Sequence, residues 1–191
     1  MGLENMTLND VHGEIPSIKF YQTQKELETI VGEFVKRCVA EGLQSNDIVI
    51  LTAKTAEASW LASNSKYSGI ETASEKEPGK ILFTTIRKFK GLEAKAILIV
   101  DTSLSALLKA ESRRLLYVGC SRAKNLLSIA MLDDVENTDM GDFLRNVAPG
   151  RNVPKNKKGL KRLLDSNQRP HRCERCALIM WLKHQTALES R

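Results

Sequence analysis

Four uninterrupted apolar runs rich in β-branched residues constrain the fold of this chain more than any other feature. They are Asp47–Ala53 (DIVILTA), Ile81–Ile86 (ILFTTI), Ala96–Asp101 (AILIVD) and Leu126–Met131 (LLSIAM). A strand with one wet face alternates apolar and polar residues, whereas an unbroken run suits a strand covered on both faces. Ser17–Gln22 (SIKFYQ) alternates and adds a further strand. Thr23 then offers a hydroxyl N-cap with Glu26 three residues on, the pattern of a capping box. Leu27, Ile30, Val31, Phe34, Val35, Cys38 and Val39 follow at helical spacing, and Gly42 supplies the stop. Residues 54–62 and 104–124 read as further helices, and 63–80 as a polar loop closed by Pro78-Gly79. Strands alternating with helices predict an α/β fold, a mostly parallel sheet with helices on both faces.

Composition sets the boundaries. Of the 191 residues, 42% are apolar and 27% charged, which excludes a collagen, a disulfide scaffold and a wholly disordered chain. No apolar h-region follows Met1, and the longest apolar runs are strand-sized, so neither a signal peptide nor a membrane span is expected. Four cysteines in such a chain predict free thiols in a reducing cytoplasm. Acidic and basic residues balance through residue 135, so the whole excess of +6 falls in 136–191. The organisation expected is a disordered leader over 1–16, one α/β domain over 17–135, a basic linker over 136–159 and an irregular tail over 160–191.

Chemistry concentrates in Thr84-Thr85-Ile86-Arg87-Lys88-Phe89-Lys90-Gly91-Leu92-Glu93, between two apolar strands. Residues 87–95 are too few for a crossover helix, so a tight loop is expected at the carboxyl end of a strand, where open α/β sheets bind ligands. A hydroxyl, three cations, a glycine and one carboxylate suit a phosphate chain with a sugar beside it. A connecting loop with solvated charges reads equally well from chemistry alone. A second stretch, Arg113-Arg114-Leu115-Leu116-Tyr117-Val118-Gly119-Cys120-Ser121-Arg122-Ala123-Lys124, precedes the last strand. Arg114, Val118 and Arg122 share a helix face at i, i+4, i+8, and three small residues before Arg122 leave room for a guanidinium to grip phosphate. The alternative there is an amphipathic helix with an exposed arginine.

Together and in this order, TIRKFKGLEAKAILIV and RRLLYVGCSRAKNLL resemble motifs V and VI of superfamily-1 DNA helicases of the UvrD/Rep type. The family patterns are roughly T-x-H-x-x-K-G-L-E before an apolar strand and L-L-Y-V-A-x-T-R-A. The resemblance covers about residues 45–132. It implies the second RecA-like domain of a P-loop-NTPase-type motor, truncated at its N-terminal side. It further implies that Thr85, Arg87 and their loop contact the phosphodiester backbone of single-stranded DNA. Lys90, Gly91 and Glu93 would approach ATP, with Glu93 on the ribose. Arg122 would be the catalytic arginine finger on the transferring phosphoryl group, and so also part of the nucleotide site. Arg87 stands where the family has His, Gly119-Cys120 replaces a more apolar pair, and Ser121 replaces Thr.

The sequence holds no G-x-x-x-x-G-K-S/T phosphate loop and no Asp-Glu pair placed to hold Mg²⁺. ATP and Mg²⁺ are therefore expected only with a first RecA-like domain, and no ATP hydrolysis is expected of the chain alone. The alternatives are a non-catalytic nucleic-acid-binding module, or a motor completed by a separate chain. In the tail, His171, Cys173 and Cys176 form one C-x-x-C without a second pair, which argues against zinc, and no metal site is expected. Leu164-Asp165-Ser166-Asn167-Gln168-Arg169-Pro170 looks like a tRNA gene translated on the opposite strand, so the tail is read as a frame accident. A genuine amphipathic helix at Cys176–Leu188 is the competing reading.

Overall fold

A computed structural model of the chain describes residues 16–134. The leader, the linker, the tail and its C-x-x-C lie outside the described residues. Within them a seven-stranded sheet has the order β1-β7-β6-β2-β5-β4-β3. The strands are β1 (Ser17–Tyr21), β2 (Ile48–Thr52), β3 (Lys66–Tyr67), β4 (Ile70–Ala73), β5 (Ile81–Thr85), β6 (Ala94–Ser103) and β7 (Ala123–Leu132). All neighbours are parallel except the β3–β4 hairpin.

The unbroken apolar runs are the central strands, and every residue of β2 is buried. Side chains leave a strand on alternate faces, so each run feeds two cores. On one face Ile48, Ile50, Leu98 and Val100 meet Leu27, Val31, Phe34 and Cys38 of helix α1 (Gln24–Ala40). On the other, Val49, Leu51, Ile97, Ile99 and Ile129 meet Leu116 and Cys120 of helix α2 (Ala110–Cys120). This is the mostly parallel α/β sheet, helices on both faces, that the apolar runs predict. Cys38 and Cys120 are both buried, and neither forms a disulfide among the described residues.

Helix α1 begins and ends on local signals. Thr23 Oγ1 accepts from the Glu26 N–H at 3.3 Å, while Glu26 Oε2 accepts from the Thr23 N–H, closing the capping box. At the other end Gly42 takes φ +81°, and the N–H groups of Gly42 and Leu43 reach back to the carbonyls of Val39 and Cys38. That left-handed turn is what requires glycine there.

Three expectations are corrected. Residues 54–62 form turns, not a helix. The Lys54 N–H goes to Thr52 Oγ1, the Trp60 N–H to Asp101 and the Leu61 N–H to Ser59 Oγ, so side chains replace helical carbonyls as acceptors. The loop at 63–80 contains the β3–β4 hairpin, whose two turn residues, Ser68 and Gly69, both have positive φ, as a tight two-residue hairpin needs. The helix expected over 104–124 is split. Ala106–Leu108 is one 3₁₀ turn, Lys109 is extended, and α2 stops at Cys120. Its C-cap residue, Ser121, turns its hydroxyl back onto the Val118 carbonyl at 2.8 Å, and β7 begins two residues later.

Candidate functional site

The β5–β6 connection positions most of the motif residues. It is tight, as expected, but it is not confined to the carboxyl end of the sheet. Thr85 ends β5 level with Thr52 and Val100, whereas β6 starts at Ala94, six residues earlier than Val100. At about 3.3 Å per residue the link descends roughly 20 Å through the depth of the sheet. Ile86 and Phe89 anchor it in the core beneath α2, with 1% and 3% exposure, so its polar residues face outward.

At the upper end, Thr85 Oγ1 accepts the Lys88 N–H at 3.1 Å and the Thr85 carbonyl accepts the Phe89 N–H. The turn is thereby capped by the residue that precedes it, and the Thr85 hydroxyl keeps its own proton to donate. Arg87 is exposed and pairs with Glu111 of α2 at 3.1 Å. Lys90 is exposed as well. Gly91 takes φ +88° with nothing within 4 Å of where a Cβ would stand, so backbone conformation rather than crowding selects glycine. Leu92 beside it is 56% exposed, an apolar side chain standing in solvent.

At the lower end the start of β6, next to Glu93, meets the backbone of Arg122. The Ala94 N–H donates to the Arg122 carbonyl at 3.1 Å, Ala94 pairs with Ala123, and Lys124 Nζ lies 3.2 Å from a Glu93 carboxylate oxygen. Arg122 is half-buried, and its Nε is covered yet has no hydrogen-bond partner among the described residues. Arg122 does not share a helix face with Arg114 and Val118, because α2 has ended before it; its N–H bonds to the Gly119 carbonyl and its carbonyl joins the sheet. Arg114 is exposed on α2. Arg113 is buried, donating from Nη1 to the Leu107 carbonyl at 2.6 Å, and so anchors the 3₁₀ turn.

The small residues before Arg122 have a packing reason. A Cβ on Gly119 would stand 2.9 Å from Ile99 Cδ1 and 3.2 Å from Ile86 Cδ1. Glycine lets α2 lie close against β6 and against the first residue of the β5–β6 link.

The motif residues thus form two groups, Thr85 and Arg87 near the carboxyl end and Glu93 with Arg122 near the amino end of β6. The sequence reading missed a third group. Asp101 is 7% exposed at a bulge of β6 and holds φ +58°. Its carboxylate accepts from Thr52 Oγ1 at 2.8 Å, Ser59 Oγ at 2.5 Å and the Trp60 N–H at 3.2 Å. A non-glycine residue in that region costs on the order of 1–3 kcal/mol and persists where its surroundings over-determine it. An acidic residue ending an apolar strand was the available signal.

Among the described residues no group of three or more His, Cys, Asp or Glu side chains is placed to hold a metal ion. No helix among them is long and apolar enough to cross a membrane.

Residues 80–130 match the family model of the UvrD-like helicase C-terminal domain. No curated protein sequence matches the chain. Among solved structures, the C-terminal domain of a possible DNA helicase from Lactobacillus plantarum WCFS1 is similar in fold. Its TM-score is 0.52 at 21% identity, over 63% of this chain and 75% of that one.

Proposed function

We propose that this UvrD-type helicase C-terminal domain is the second motor domain of an ATP-dependent helicase acting on single-stranded DNA. In this reading Thr85 and Arg87 hold phosphates of the strand. Lys90, Gly91 and Glu93 meet the nucleotide, and Arg122 is the arginine finger. The observation that carries it is the Ala94–Arg122 backbone bond that brings Glu93 and Arg122 to adjoining strand ends, where a guanidinium has a covered Nε without a partner among the described residues. A carboxylate for ribose hydroxyls and a guanidinium for phosphoryl oxygens then face one side of the sheet. Exposed Leu92, next to Glu93 in the chain, suits burial against a first motor domain.

The residues fit ATP with Mg²⁺ in part only. Glu93 and Arg122 suit a ribose and a phosphoryl group, but the phosphate loop and the Mg²⁺ carboxylates are not in the sequence. Bound ATP would supply the phosphoryl group whose transfer drives the motor. Arg122 would hold two oxygens of that group with parallel N–H donors as charge develops, and its partly covered position strengthens that contact. Glu93 would leave Lys124 to accept ribose hydroxyls. Thr85 would donate to a DNA phosphate, and the anchored link would carry its position to Glu93.

The test is steady-state ATPase activity at saturating single-stranded DNA, for the chain alone and for the chain joined to the first motor domain of a related helicase. The chain alone should not exceed background. The joined protein should turn over, and Arg122→Ala should lower its rate by about 10³-fold or more while nucleotide affinity barely changes. Arg122→Lys should rescue little, since an ammonium lacks the planar two-bond grip. An Arg122→Ala protein as active as its parent would replace this reading with a non-catalytic nucleic-acid-binding module.

A further inference from the structure

Glu93, Lys95, Arg122 and Lys124 share the amino end of the β6–β7 pair, one carboxylate among three cations. Regular parallel pairing would continue from Ala94–Ala123 and set Lys95 against Lys124, two like charges side by side. The register slips instead. Ala96 meets Leu126, so Lys95 alone spans Lys124 and Asn125, and β7 bulges there by one residue. A bulge re-aims the side chains it carries. The two lysines turn to different acids, Lys95 to Asp47 at the foot of β2 at 3.1 Å and Lys124 to Glu93 at 3.2 Å.

The Lys124 contact keeps Glu93 off Arg122. Glu93 and Arg122 immediately precede the paired residues Ala94 and Ala123, and the Ala94 N–H bonds to the Arg122 carbonyl. A carboxylate and a guanidinium on adjoining strand ends are suited to close an ion pair through two parallel N–H donors. Such a pair would occupy the donors that a phosphoryl group needs. Glu93 is engaged by Lys124 instead, and Arg122 Nε, although covered, has no partner among the described residues. The side chains of Lys124 and Glu93 are 57% and 51% exposed, so water screens their pair and a ligand can part it. Arg122 is half-buried, where a closed ion pair would be harder to open.

We propose that Lys124 is a positioning residue: aimed by the β7 bulge, it holds the Glu93 carboxylate away from Arg122 and keeps the guanidinium open for phosphoryl oxygens. The proposal rests on the reading of Arg122 as the finger and Glu93 as the ribose contact. It adds the group that stops these two from neutralising each other before nucleotide arrives.

The full chain, ¹⁵N-labelled, tests the contact without nucleotide. The Arg122 Nε–H resonance is identified by its loss in Arg122→Lys. In Lys124→Ala it should move downfield and exchange more slowly with water, because Glu93 closes on Arg122. Adding Glu93→Gln should return it to the parent position, and Lys124→Arg, which keeps a cation for Glu93, should leave it in place. In the chain joined to a first motor domain, Lys124→Ala should lower the ATPase rate at saturating nucleotide by about fivefold, the worth of one modest ion pair. The Lys124→Ala/Glu93→Gln protein should regain the maximal rate of Glu93→Gln alone, a rescue that a merely structural role of Lys124 would not give. A resonance that stays put in Lys124→Ala, or moves equally when Glu93 is replaced, overturns the role of Lys124 and leaves the finger standing. A parent-like rate in Lys124→Ala overturns it too. If the resonance responds as expected while Arg122→Ala turns over like its parent, the motor reading fails and Lys124 guards no finger.

Discussion

Gly119 and Asp101 show how single residues bear the tightest demands of this fold. At Gly119 an added methyl meets two isoleucine ends below ordinary contact distance. Alanine gains up to about 1 kcal/mol of helix propensity but overpacks a dense site, which costs about 1–3 kcal/mol. Gly119→Ala should therefore be destabilised by about 1 kcal/mol in denaturant unfolding. Ile99→Val, which removes the nearer methyl, should recover part of the loss in the double variant, and strict additivity would show that the two do not collide. Asp101 separates hydrogen bonding from backbone strain, because asparagine tolerates its left-handed conformation. Asp101→Asn should still cost about 1–3 kcal/mol, since an amide cannot accept from all three donors. Parent-like stability would mean that the carboxylate does not hold the 54–62 turn.

At the level of elements, the parts legible in the sequence were those whose cause is local. The cap and stop of α1 lie within the helix and its flanks, and the buried strands announce themselves by unbroken apolar runs. The turn at 54–62 was not legible, because the group that captures Ser59 lies 42 residues away. The β3–β4 hairpin hid for the opposite reason. Only Tyr67 and Ile70 carry its apolar signal, inside a polar stretch whose Ser68-Gly69 pair was the one clue. At the candidate site the residue types were legible, but the roughly 20 Å between its ends was not, since depth follows from strand register rather than from motif spacing. Nor did the motif reveal that Arg87 links the β5–β6 connection to α2 through Glu111. That pair is exposed, so its own worth is small. It nevertheless competes with any phosphate for the same guanidinium. Glu111→Gln should tighten single-stranded DNA binding about two- to threefold at low salt, by anisotropy, and should do nothing when Arg87 is alanine. An equal effect in both backgrounds would point instead to the general field of the added charge.

On the scale of the whole molecule, the β5–β6 connection works as a pinned strap, wound into turns over residues 86–91. Its eight residues, 86–93, could span about 30 Å fully extended, and some 20 Å of that is taken by the depth of the sheet. Ile86 and Phe89 fasten it to the core at two points, leaving a short outward-facing run between the second anchor and Glu93. A strap so pinned passes a displacement at one mouth to the other instead of absorbing it in a loop. Two glycines inserted after Lys90 should therefore leave DNA affinity and nucleotide affinity of the joined motor close to the parent's while removing most of the DNA stimulation of its ATPase rate. Stimulation that survived the insertion would mean that the two ends communicate by another route. On this account the sheet acts as a fixed frame, and the length of one fastened cord sets how faithfully one edge reports to the other.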